Sequence, residues 1–253
     1  MITRRDAALG GLFTIVWNVF PCACHAQAAL ARVPGCTLDD DEAEALLPRD
    51  TADITEAKDP VLVSSGDREL DYAMAQNLSH ITDLFEVLPG FAYFDDTGHP
   101  NAFATRREYL NRTDGTVLFG RGLLARCLAA PESPDVAVSA VCAHEFGHIV
   151  QFKLGLQPAL REGQATMKRV ELNADFMSGY YAGRRKLERP TYPAAVYATT
   201  QYSAGDTHFD SPYHHGTPDE RAAAIVRGFE TAYRDKRGLT DAVQVGMDYA
   251  LTL

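Results

Sequence analysis

The stretch VCAHEFGHIVQ, residues 141–151, places two histidines four residues apart, with a glutamate directly after the first, inside an otherwise apolar run. Apolar residues at this density predict a buried helix over 136–154, closed by Gly155. On a helix, residues i and i+4 share one face. His144 and His148 therefore point the same way, close enough for two imidazoles to share one ion. Glu145 is offset around the helix and reaches a water on that ion without being a ligand. Neutral imidazole is a natural zinc donor, and this spacing is the HExxH arrangement of zinc sites. Two core histidines bonded to backbone carbonyls would need the same residue type, but this spacing together with the glutamate seldom arises from composition.

A zinc that does chemistry needs a third protein ligand and an open position. The next helical pattern, over 165–187, supplies a candidate in RVELNADFMSGYYAG, where Glu171 and Asp175 are again i and i+4. Glu171 can be the third ligand. Asp175 can accept the free ring N–H of a ligating histidine, His144 first among them, which fixes tautomer and orientation. An exposed acidic pair on a helix is the plainer reading of these two carboxylates, and their order after HExxH favours the metal. Gly147 inside the motif helix costs about 1 kcal/mol against alanine, which a close backbone approach would justify. Glu145 then acts as general base toward the water on that ion. A further donor to a developing oxyanion is sought among His208, His214, His215 and Arg221, which follow the ligand helix, and the resemblance described next makes His215 the leading candidate. His215 has two other readings, a fourth zinc ligand and a helix-capping residue.

Five stretches in order carry a resemblance: NAFA (101–104), DGTVLFGRGLL (114–124), AHEFGHIVQ (143–151), ELNAD (171–175) and HGTPDER (215–221). In these the chain resembles the CAAX-prenyl-endopeptidase-like (HtpX-type) gluzincin zinc metallopeptidases. The resemblance implies a zincin-like fold, zinc on His144, His148 and Glu171, Glu145 as the catalytic glutamate, and protein or peptide substrates. The chain departs from the pattern in the insertion TRREYLNRTD after NAFA, in Gly216 where a proline commonly follows the histidine, and in having no apolar spans after its start. A peptide substrate would add a strand to a sheet edge, for which GTVLFG and NAFA are both candidates.

The first residues, MITRRDAALGGLFTIVWNVFPCACHAQAA, have a basic start, an apolar run and small residues ending in Ala26-Gln27-Ala28. This is the layout of a secretory leader over 1–28 with an A-x-A cleavage site, its Arg4-Arg5 resembling a twin-arginine start. A secreted or periplasmic protein is expected. Cleavage removes two arginines and one aspartate, leaving 22 basic against 33 acidic residues, a balance of −11. It also removes Trp17, the sole tryptophan. That acidity argues against nucleic acid as a partner. Cys36, Cys127 and Cys142 remain, an odd number. They read as small buried hydrophobes, with a Cys127–Cys142 bridge as the alternative.

Residues 29–60, with Asp39, Asp40, Asp41, Glu42 and Glu44, read as an acidic linker or loose N-terminal arm. Residues 61–253 read as the zincin-like domain. Helices are predicted over 66–86, from Arg121 in RGLLARCLAA, and near 191–203, 218–235 and 240–252. FAYF and TVLF read as strands. The expected class is α+β, mostly helical, with a small antiparallel sheet. DDTG, residues 95–98, contains the Asp-Thr-Gly of aspartic proteases, but one copy flanked by His99-Pro100 reads as a turn. A Cys142–His144 nucleophile pair fails because i and i+2 do not face each other on a helix. The rival to an enzyme is a non-catalytic, zinc-bound interaction or chaperone-like module.

Overall fold

The computed structural model describes residues 36–47 and 61–253, and the leader expected over 1–28 lies outside the described residues. The elements run α1 (Asp40–Leu46), β1 (Val61–Leu62), α2 (Arg68–Phe85), β2 (Gly90–Phe94), β3 (Ala102–Thr105), β4 (Thr116–Gly120), α3 (Arg121–Leu128), α4 (Pro134–Leu154), α5 (Gln157–Arg161), α6 (Lys168–Glu188), α7 (Ala195–Tyr202), α8 (Pro218–Tyr233) and α9 (Leu239–Leu251). Among the described residues no helix is long and apolar enough to cross a membrane.

The class is α+β, but the sheet is mixed rather than antiparallel. Its order is β1-β2-β4-β3, with β2 and β4 parallel and the two outer pairs antiparallel. The chain leaves β2, crosses two strand spacings to form β3 at the edge, and returns to insert β4 between them. Residues 95–101 are long enough for that crossing, because neighbouring strands lie about 4.8 Å apart. The Asp-Thr-Gly turn stabilises it. The buried Asp96 carboxylate accepts N–H groups from Asn101, Gly122 and Leu123, holding the crossing against the start of α3. All five residues of β4 are buried, as befits an interior strand covered on both faces. GTVLFG is therefore not an edge; the edge strands are β1 and β3, and β3 overlaps NAFA.

The acidic arm also differs from its sequence reading. Asp39 caps α1 by accepting from Glu42 N–H at 2.8 Å, and Glu42 returns the bond to Asp39 N–H at 3.0 Å. Asp40, Asp41 and Glu42 occupy the first turn, where negative charge meets the positive end of the helix. Leu38, Ala43 and Leu47 then pack with Val61, Ala92, Phe94, Phe103, Tyr109 and Leu118 into one buried cluster. The described part of the arm is thus docked on the sheet, and its carboxylates start a helix rather than solvate a linker.

The larger core lies between the sheet and the helices. Helix α4 runs through it, packed against β3, β4, α2, α3, α6 and α7, and every residue from Val136 to Gln151 is buried. This explains its unbroken apolar character. Gly147 sits where α4 meets α6: a Cβ there would lie 3.0 Å from both Cα and O of Ala174. The two helices that carry the predicted ligands approach through that glycine.

A buried donor set on two helices

His144 and His148 present their rings on the same face of α4, with centroids 4.8 Å apart and planes at 88°. Glu171, in the first turn of α6, meets them: Oε2 is 3.3 Å from His144 Nε2, and Oε1 is 3.6 Å from His148 Nε2. Neither ring Nε2 nor either Glu171 oxygen has a hydrogen-bond partner, although all three side chains are buried. Buried polar atoms without partners are costly, and a bound cation would satisfy all four of these. Tetrahedral zinc at about 2.0–2.1 Å from nitrogen and oxygen separates its ligands by roughly 3.4 Å, close to the spacings here. Cys36 completes a group of four: its Sγ and the ligand atoms of His144, His148 and Glu171 all lie within 4.8 Å of one another. The structure thus contains a Cys-His-His-Glu group able to hold a metal ion.

The outward side of each imidazole is held. His144 Nδ1 lies 2.8 Å from Asp175 Oδ1. Arg221 from α8 grips the same carboxylate, with Nε at 2.8 Å and Nη2 at 3.0 Å, and Nη2 also reaches Gln201 Oε1 at 3.0 Å. His148 Nδ1 lies 3.1 Å from Gln151 Oε1. Gln151 Nε2 donates to Val170 O at 2.8 Å and to Asn173 Oδ1 at 3.0 Å, so its amide nitrogen faces acceptors and its oxygen faces the ring. That oxygen demands a proton on His148 Nδ1, which leaves the Nε2 lone pair for a cation.

Charge follows the same plan. Burial raises the Glu145 carboxyl to about 7, against the attraction of His144 and His148. Burial alone would lower the His148 imidazole, but the Glu171 carboxylate outweighs it and carries it up to about 10. Burial likewise opposes ionisation of Asp175, but Arg221 and His144 outweigh it and hold that carboxyl below the usual range. Protons on the imidazoles balance Glu171, and a bound cation would supply the same positive charge.

A cleft of about 1040 Å³ opens on this group, lined among others by Cys36, His144, Glu145, His215 and Arg221. Glu145 has one oxygen without a partner, as does His215 at Nε2. Of the four donors considered from sequence, His208 is exposed and His214 is turned to Asp206, with Nδ1 2.6 Å from Oδ1. Neither lines the cleft. Arg221 lines it but is committed to Asp175. His215 stays, its backbone N–H bonded to Asp206 Oδ2 at 2.9 Å and its imidazole depressed by burial. Gly216 adopts φ +99°, which proline cannot reach, and this accounts for glycine at that position.

Cys36 and Gln151 were missed in the sequence. Gln151 stands three residues after His148, a helical spacing that offered a signal. Nothing in the chain links Cys36 to residues a hundred positions away. Cys127 and Cys142 are buried and unpaired, so no bridge joins them. No family model matches the chain, and no curated protein or solved structure matches it.

Proposed function

We propose that the protein is an exported, zinc-dependent endopeptidase, of the kind that its resemblance to the HtpX-type gluzincins suggests. The observation that carries this reading is the buried, unpartnered trio of His144 Nε2, His148 Nε2 and the Glu171 carboxylate, beside the free oxygen of Glu145 in one cleft. These three residues would hold zinc, which supplies Lewis acidity to a water and to the scissile carbonyl.

The chain's own groups do the rest. Glu145 accepts a proton from the attacking water and later delivers it to the leaving amine, a task suited to a carboxyl raised to about 7. His215 offers Nε2 to the oxyanion. Asp175 and Gln151 orient the two ligating rings, and Arg221 keeps Asp175 ionised. The substrate backbone would lie extended along β3, an edge strand of the sheet. The leader expected over 1–28 supports an exported location.

The test is Glu145→Gln with zinc content measured alongside hydrolysis of an unfolded protein such as casein. Zinc should stay at one per chain while hydrolysis falls by at least about 100-fold, the scale of general-base catalysis. Full activity in this variant refutes the assignment of Glu145. A second reading, a non-catalytic zinc-bound interaction module, is favoured by one observation: Cys36 offers a fourth donor, and four protein ligands are the mark of a structural zinc.

A further inference from the structure

Cys36 does not reach the donor group as an isolated side chain. It is delivered by a strand-like segment. Ala104 N–H donates to Cys36 O at 2.8 Å, Leu38 N–H donates to Ala104 O at 3.0 Å, and Thr37 pairs with Ala104 in parallel. This is β-addition to the free edge of β3, where an extended peptide would lie. The segment is held there by Leu38 in the buried cluster and by α1 immediately after it. One short stretch therefore occupies both the peptide edge and the metal-facing position.

We infer that residues 36–38 form an internal inhibitory segment, in which the Cys36 thiolate fills the fourth zinc position while its backbone covers the substrate edge of β3. The inference rests on the zinc-peptidase reading above. Charge supports it: one thiolate and one carboxylate, with two neutral imidazoles, balance a divalent cation inside a buried site. The neighbouring Asp175 is balanced separately by Arg221. A fourth ligand built only to close a structural zinc would not need Glu145 beside it, buried with an unpartnered oxygen in the same cleft. Release breaks the sulfur–cation contact and the two backbone bonds to Ala104. The sulfur takes up a proton from solvent, and no redox partner is required.

The test uses the full chain loaded with cobalt(II) in place of zinc, together with Cys36→Ala and Leu38→Pro, which removes the N–H bonded to Ala104. Cobalt bound by a thiolate shows a sulfur-to-metal charge-transfer band in the near ultraviolet, and imidazole and carboxylate ligands do not. The inference expects that band in the parent chain, its loss in Cys36→Ala with cobalt still bound at one per chain, and its weakening in Leu38→Pro. It further expects zinc-loaded Cys36→Ala to hydrolyse casein at least about tenfold faster than the parent, because the fourth position is opened. That gain should vanish when Glu145→Gln is added. Cobalt bound without the charge-transfer band overturns the role of Cys36 and leaves the metal site standing. Loss of the band with no gain in hydrolysis overturns the inhibitory role. Failure of every form to bind cobalt or zinc overturns the metal reading itself.

Discussion

At the scale of single residues, the site is governed by what holds each ligand's far side. His144 is held by a charged chain, Asp175 and then Arg221, whereas His148 is held by the neutral amide of Gln151. The Gln151 amide is used between His148, Val170 and Asn173, and its oxygen also accepts from Gln157 Nε2 at 3.4 Å. Replacing it with alanine frees the His148 ring to take the wrong tautomer. Gln151→Ala should weaken zinc binding by about 10–100-fold, read by competition with a chelating dye, while Glu145→Gln leaves it unchanged. An unaltered zinc affinity in Gln151→Ala would remove Gln151 from the positioning network. HExxH and the later Glu171 and Asp175 were legible because each pair is a local helical spacing. Cys36 was not, because its place depends on a strand pairing with residue 104 that no local pattern encodes.

At the scale of elements, the site depends on how closely α4 and α6 approach. His148 and Glu171 stand on different helices, and Gly147 lets those helices meet at Ala174. Gly147→Val must push them apart. It should lower stability by about 1–3 kcal/mol, as overpacked cores do, and also release zinc, because the two ligand sets separate. Denaturant unfolding and metal analysis of the same preparation check this, and a variant that keeps both parent stability and bound zinc would count against the close approach. Helices long enough to show a period were legible in sequence, to within a few residues at their ends. The short α1, α5 and β1 were not. A seven-residue helix announced by four acidic residues looks like a solvated run until its cap is seen. The parallel pairing of β2 with β4 was hidden for another reason: the order of strands in a sheet is set by which connection crosses, and turn residues read alike in either case.

At the scale of the whole molecule, the loop between α7 and α8 brings His215 to the cleft, and Asp206 organises that loop. Its carboxylate receives the His215 and His208 N–H groups and the His214 ring. Burial opposes its ionisation, but these bonds prevail and lower it to about 2. A carboxyl depressed in the folded state adds stability above its ordinary value near 4, and that contribution fades as the pH falls toward 2. Parent protein should therefore melt above Asp206→Asn at neutral pH, and the gap should close between about pH 4 and pH 2. A gap that stays constant across that range would show that Asp206 is not the organising charge. The placement of residue 36 in the wall of the cleft has a practical side. Cys36 lines the cleft and bears on the donor group, whereas α9 contributes nothing to the lining of the cleft. An affinity handle or surface tether belongs on exposed Leu253, where no residue that lines the cleft is disturbed.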